Sequence, residues 1–198
     1  MARNVFISFR FKDGNGYKKL LSGLFTANDD TVDFSEDADR SYLSDASIKK
    51  YLYSKLRRSS VTIVLITPEA LNHHKNVWGQ YDDWMYDEIR YSLEDREYNR
   101  TNALIAVYTP EVEDKLIKRT DEGTIIVYEC DNLFRANMMN IKDIYKNNPN
   151  PGIYDRNYDS YCSLVSFDDF FNNPNYYINI ACEKRDTLYK YKIRRNLF

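Results

Sequence analysis

Two stretches of the 198-residue chain leave little choice of structure: Val61-Thr62-Ile63-Val64-Leu65-Ile66 and Ala103-Leu104-Ile105-Ala106-Val107-Tyr108. Both are short, almost wholly apolar and rich in β-branched residues, and a proline follows each, Pro68 and Pro110. Such runs read as strands buried on both faces, which happens when helices cover both sides of a parallel sheet. The stretch between them supplies a helix. In residues 82–93, Met85, Ile89 and Leu93 recur at i, i+4 and i+8, while Asp83, Asp87, Arg90 and Glu94 fall on the opposite side.

The rest of the chain fits that frame. Val5-Phe6-Ile7-Ser8-Phe9 reads as a first strand and Asp13-Gly14-Asn15-Gly16 as a turn. A first helix is expected over 17–25, with Leu20, Leu21 and Leu24 facing inward. Thr31-Val32-Asp33-Phe34 is a second strand, and 35–44 is a polar loop rich in Asp and Ser. Ser44 or Asp45 can cap the next helix, whose apolar stripe is Ile48, Leu52 and Leu56. The order is β-α-β-α-β-α-β, with crossovers long enough for right-handed parallel connections.

Residues 111–161 break the rhythm and read as an insertion before the last strand. Within them Ile125-Ile126-Val127-Tyr128 fits an extra strand and 132–146 a helix. Cys162-Ser163-Leu164-Val165-Ser166 is the fifth strand of the sheet, and Asn173-Pro174 opens a terminal helix. The absence of internal repeats and low-complexity segments points to a single domain over 1–198. The fold expected is α/β and flavodoxin-like, a central five-stranded parallel sheet with helices on both faces.

Composition excludes several function classes. With 43% hydrophobic and 29% charged residues the chain is an ordinary soluble type, and a net charge of −2 gives no field that favours nucleic acid or anionic lipid. The basic run at 190–195 reads as a solvated helix end. No apolar run approaches the roughly 20 residues of a membrane span, and the N-terminus has no cleavage pattern of a secretory signal. Cys130, Cys162 and Cys182 form an odd set without a Cys-x-x-Cys pair, as in a cytoplasmic protein with reduced thiols. His73 and His74 are adjacent, too close in sequence for one metal, and no acidic or cysteine cluster joins them. The 18 tyrosines and 10 phenylalanines read chiefly as amphipathic packing.

In an open parallel sheet, ligands sit beyond the C-terminal ends of the strands. Four pieces converge there: Ser8-Phe9-Arg10, the segment from Asp33 to 44, Thr67, and the helix carrying Glu88. The usual phosphate loops and the Gly-x-Ser-x-Gly elbow of serine hydrolases are missing. A response regulator needs a phospho-accepting Asp where this chain has Thr67-Pro68. At about 100° per residue, Glu88 lies roughly 60° off the Met85–Ile89–Leu93 stripe, at the edge of the core face. Spacing alone makes it a partly exposed helix glutamate with a basic neighbour. A carboxylate there is also where burial and function compete.

Val5-Phe6-Ile7-Ser8-Phe9-Arg10, the Asp33-Phe34 strand end, the run at 61–66 and Trp84-x-x-x-Glu88-Ile89 resemble the TIR fold. More narrowly, they resemble the TIR-like domain of the ThsB proteins of Thoeris, a bacterial anti-phage defence system. The likeness covers roughly residues 2–108, with the Trp-x-x-x-Glu-Ile signature its most specific part, and it extends nothing to the insertion. It implies that Glu88 cleaves the nicotinamide–ribose bond of NAD. It further implies that the ADP-ribose product, cyclised or conjugated, activates a separate effector protein. NAD is then the substrate, and no resident cofactor, metal, nucleic acid or membrane is expected; TIR self-association is.

The same resemblance places Ser8, Phe9 and Arg10 against the dinucleotide. Arg10 is equally readable as a surface arginine, Asp33 as a ribose ligand or a loop cap, and Trp84 as a pocket wall or, more simply, core. Two other classes remain open at this stage. One is a non-enzymatic adaptor that binds other TIR domains through the 35–44 loop. The other is a nucleoside deoxyribosyltransferase, which shares the architecture and a catalytic glutamate.

Overall fold

A computed structural model of the chain describes residues 3–27, 31–33, 45–71, 84–95, 100–121, 125–127 and 132–196. Its centre is a five-stranded parallel sheet: β1 (Arg3–Ser8), β2 (Thr31–Asp33), β3 (Val61–Ile66), β4 (Ala103–Tyr108) and, last in the chain, β7 (Ser163–Ser166). The strands lie in the order β2-β1-β3-β4-β7, so the chain reverses direction across the sheet between β1 and β3. The two continuous apolar runs pair over all six residues, from Val61 beside Ala103 to Ile66 beside Tyr108.

Helices α1 (Phe11–Thr26), α2 (Asp45–Leu56), α3 (Pro68–Leu71) and α4 (Trp84–Leu93) link the first four strands. After β4 come α5 (Glu113–Leu116), the short antiparallel pair β5 (Ile117–Arg119) and β6 (Ile125–Val127), and α6 (Asn132–Arg135). Helices α7 (Phe167–Asn172) and α8 (Pro174–Asp186) follow β7.

Alternation along the strands divides the core into two faces. Val5, Ile7, Ile63, Leu65, Ile105 and Val107 pack with Leu21 and Phe25 of α1 and Ile178 and Ala181 of α8. Val64, Ile66, Leu104, Ala106 and Tyr108 face the other way, against Met85, Ile89 and Leu93 of α4 and Leu133 and Phe134 of α6. Phe6 points to this second side too, where it meets Leu52 and Leu56 of α2 and Tyr91 of α4. The insertion shares this core through Leu133, Phe134, Ile141 and Tyr161.

The structure departs from the sequence expectation in four places, each for a tertiary reason. Asp13-Gly14-Asn15-Gly16 is not a turn but the first half of α1, because Gly14 and Asp13 find partners on neighbouring elements. The buried stripe of α1 is therefore Gly14, Lys18, Leu21 and Phe25, and Leu20 is 52% exposed. The expected helix at 132–146 stops at Arg135; Met139 takes a left-handed φ of 47° and Ile144 is 81% exposed. The basic run at 190–195 does not end a helix. The main chain there is tied to the insertion, Lys142 N–H to Lys190 O at 2.8 Å and Lys192 N–H to Asn140 O at 2.8 Å. Finally, Asn173 precedes α8 without a capping side-chain bond, and Ser166 caps α7 instead, accepting from Asp169 N–H. The polar loop at 35–44 and the His73-His74 pair lie outside the described residues.

Candidate active site

The order reverses between β1 and β3, and in this architecture the usual ligand position is the crevice beyond the C-terminal ends of the strands at such a point. Three elements meet it: the end of β1, the end of β3, and α4.

Helix α4 runs back along the sheet, since Ser92 near its C-terminus bonds Thr62 Oγ1 near the start of β3 at 2.8 Å. Glu88 is one turn earlier, ~6 Å nearer the C-terminal edge. Two residues along β3, ~6.6 Å in the same direction, is Val64, which pairs in register with Ser8. Glu88, Val64 and Ser8 therefore stand at one height. On the helix, Glu88 falls between Ser92, which touches β3, and Tyr91, which packs against Phe6 and α2. Its side chain thus sits on the flank of α4 that faces β1. Glu88 is only 7% exposed.

Ser8 faces the same side as Phe6 by strand alternation. It is 1% exposed, and among the described residues its Oγ has no hydrogen-bond partner. A buried hydroxyl without a partner costs on the order of 1–3 kcal/mol. Such a group is suited to bond a bound molecule.

An ionic clasp holds α2 and α4 together on the solvent side of Glu88. Lys49 pairs with Asp87 at 2.9 Å, and Arg90 reaches Asp87 at 3.4 Å, Glu94 at 2.6 Å and the Tyr53 hydroxyl at 3.0 Å. The Asp87 hydrogen bond raises the pKa of Lys49. Tyr53 stacks on Tyr91 with ring centres 3.9 Å apart. The clasp fixes α4 against α2.

The other predicted residues are placed differently. Phe9 points to the α1 side, half-buried against that core and 4.7 Å from the Phe11 ring. Arg10 is the half-buried residue preceding α1, with extended backbone. Asp33 pairs in register with Val5, three residues short of the end of β1, and meets buried Lys18 at 3.5 Å and the Ser22 hydroxyl. The structure does not bring Asp33 together with Glu88. Trp84 is the first residue of α4, and its side chain lies outside the described residues.

Sequence reasoning missed Asp13. Its carboxylate accepts from Thr67 Oγ1 and from Glu69 N–H, both at 2.8 Å, which joins the start of α1 to the loop after β3. An acid in the first turn after a strand was the available signal, and the neighbouring glycines obscured it. A cavity of about 400 Å³ opens elsewhere, between the insertion and α8, lined by Tyr145, Tyr158, Tyr191 and Glu183. None of the predicted site residues lines it. Among the described residues no group of three metal-ligating side chains converges, and no helix is long and apolar enough to cross a membrane.

Comparison with known proteins decides the family. The profile of the Thoeris protein ThsB TIR-like domain matches residues 6–114. The chain belongs to that family. The matched span runs from within β1 through β4, holds every predicted site residue, and ends at the first residues of the insertion. Among solved structures, the TIR domains of the activated Roq1 resistosome, which directly recognizes the pathogen effector XopQ, align at 17% identity. That alignment has a TM-score of 0.36 and covers 58% of this chain and 62% of that one. No curated protein matches the chain. The five-stranded parallel sheet and its helical layers agree with the TIR-like assignment.

Proposed function

We propose that this TIR-like domain consumes NAD, cleaving the nicotinamide–ribose bond and releasing an ADP-ribose-derived signal, cyclic or conjugated, in bacterial anti-phage defence. The observation that carries the reading is the burial of Glu88 on α4, level with a Ser8 hydroxyl that has no partner among the described residues. A buried carboxylate is costly unless it is answered, and a bound cationic sugar is a partner this position could answer.

The chemistry suits one carboxylate. The bond from the ribose anomeric carbon to the pyridinium nitrogen breaks, its electron pair stays on nitrogen, and nicotinamide departs neutral. No general acid is needed for that departure. The sugar becomes oxocarbenium-like, and a fixed carboxylate in a dry site stabilises the positive charge. Water or a hydroxyl then adds to the anomeric carbon and gives up a proton. In this reading Ser8 Oγ bonds a ribose hydroxyl. Arg10, between β1 and α1, suits the pyrophosphate, and Trp84 a wall for the nicotinamide ring. Asp33, engaged with Lys18 and Ser22, fits the ribose less well than Ser8 does.

The small product, rather than a protein contact, then reaches the separate effector, in the cytoplasm. TIR self-association is compatible with this reading, which needs no metal or resident cofactor. The test is nicotinamide release from NAD by the wild type and by Glu88→Gln, with mass spectrometry of the products. The expected loss in Glu88→Gln is about 10²–10³-fold, the size seen when a preorganised electrostatic group is removed. Equal release by both proteins would take Glu88 out of the mechanism.

A further inference from the structure

We propose that the cavity between the insertion and α8 is a second ligand site, one that takes a small organic cation carried on an apolar body. The inference is independent of the NAD-cleaving reading. Every residue lining the cavity lies beyond residue 114, where the family profile ends, so family likeness says nothing of it.

The cavity holds about 400 Å³, within the range of pockets that take small molecules. The insertion gives its walls Tyr145 and Tyr158, and α8 and the tail give Glu183, Lys184 and Tyr191. Main-chain bonds from Lys142 N–H to Lys190 O and from Lys192 N–H to Asn140 O tie the two stretches together. The Tyr191 hydroxyl donates to Tyr158 O at 2.8 Å. Tyr191 is braced by the ring of Tyr161, 5.6 Å away, and Tyr145 by that of Tyr189, 5.5 Å away. The walls are thus held by the protein's own contacts.

The charge around those rings is negative. Asp159 is 1% exposed; its Oδ2 accepts from Asp155 N–H at 2.7 Å, and its Oδ1 has no partner among the described residues. Its main-chain O accepts from Ile141 N–H, which puts Asp159 directly behind the wall. None of Asp155, Asp159 and Glu183 forms an ion pair with another described residue. Burial, then Asp159 and Asp155, raise the pKa of Tyr191; burial, then Glu183, Tyr176 and Asp155, raise that of Tyr158. The cations nearby are largely spoken for. Lys184 commits its ammonium to Ser160 O at 2.7 Å and to the Ser163 hydroxyl, and Arg185 pairs with Asp186 at 3.1 Å. Among the lining residues, Lys190 alone remains against the three acids.

Tyrosine rings and unanswered carboxylates together suit a cation with an apolar body, since the rings attract positive charge at short range and the acids add to it. The same acids disfavour a pyrophosphate, which separates this site from the one proposed for NAD.

The test uses the full chain and three probes that share one ring: benzyltrimethylammonium, benzyl alcohol and benzoate. Each is titrated while the main-chain amide signals of Tyr145 and of residues 183–191 are followed by NMR. The ammonium probe is expected to bind saturably in the millimolar range or tighter, with shifts at Tyr145, Glu183 and Tyr191. Benzoate binds about tenfold more weakly or not at all. Glu183→Gln and Tyr145→Leu change exposed side chains and each weaken the ammonium probe about threefold to fivefold. Benzoate or benzyl alcohol binding as tightly as the ammonium probe overturns the inference. So do saturation without shifts at the lining residues, indifference to both substitutions, and the lack of any saturable binding. No step reads nicotinamide release, so failure here leaves the NAD reading standing, and failure of that reading leaves this site standing.

Discussion

In the seam between the insertion and the C-terminal tail, Asn137 and Asn140 are buried and their amides are committed to main chain. Asn137 donates to Leu133 O and Arg194 O and accepts from Arg194 N–H, and Asn140 donates to Lys192 O and accepts from Tyr161 N–H. Lys184, also buried, donates to Ser160 O at 2.7 Å and to the Ser163 hydroxyl. At the end of β1, Ser8 is just as deeply buried, and its hydroxyl has no partner among the described residues. The seam uses buried polar groups to fix one structure. The crevice keeps a buried hydroxyl in reserve, level with the Glu88 carboxylate. The contrast separates residues expected to carry stability from residues proposed to meet a ligand.

Variants can break that contrast, starting in the seam. Asn140→Ala strips partners from Tyr161 N–H and Lys192 O and is expected to cost about 3 kcal/mol in denaturant unfolding. Nicotinamide release per folded molecule stays unchanged. A loss of activity without a loss of stability would place the seam inside the functional machinery.

Lys184 gives the next effect, through pH. Burial pushes its pKa down to about 8 from 10.5. The unfolded chain then binds more protons between pH 8 and 10.5, so stability rises with pH across that window. The gain relative to Lys184→Met is on the order of 3 kcal/mol, at about 1.4 kcal/mol for each tenfold loss of proton affinity on folding. Above pH 10 the sign reverses. The pKa of Tyr17 is raised to about 12, and those of Tyr161 and Tyr191 are raised by burial, so the unfolded chain loses tyrosine protons first. Unfolding of both proteins from pH 7 to 10 checks this, and parallel curves would contradict the assignment.

Ser8→Ala sharpens the contrast from the other side. Removing a buried hydroxyl that has no partner among the described residues is expected to raise stability, by about 1–3 kcal/mol at most, while KM for NAD rises. Destabilisation with normal KM would make Ser8 a core residue. The clasp gives the smallest change: Lys49→Met costs less than about 1 kcal/mol, because the Lys49–Asp87 pair is partly solvated.

The strands and α4 were legible in the sequence because burial on two faces leaves long apolar runs and burial on one leaves a stripe. Helix α1 was not. Its N-terminal half carries strong turn residues, which are overridden by Thr67 and Glu69 on the neighbouring loop and by the Phe9 ring. Lys18, in its buried stripe, is answered by Asp33 on β2, a partner that no local pattern announces. The C-terminal tail misled for a similar reason, since its polar residues are stitched to the insertion by main-chain bonds. In the site, the 3.6-residue period put Glu88 at the edge of the core face, and family likeness gave it a role. The period alone favoured a partly exposed edge, and the packing there, with Tyr91 against Phe6 and α2, buries Glu88 instead.

The most direct measurement is a structure of Glu88→Gln with NAD bound. The account predicts the anomeric carbon beside residue 88 and a ribose hydroxyl bonded to Ser8 Oγ. Nicotinamide lodged on the α1 side, or in the cavity between the insertion and α8, would contradict it.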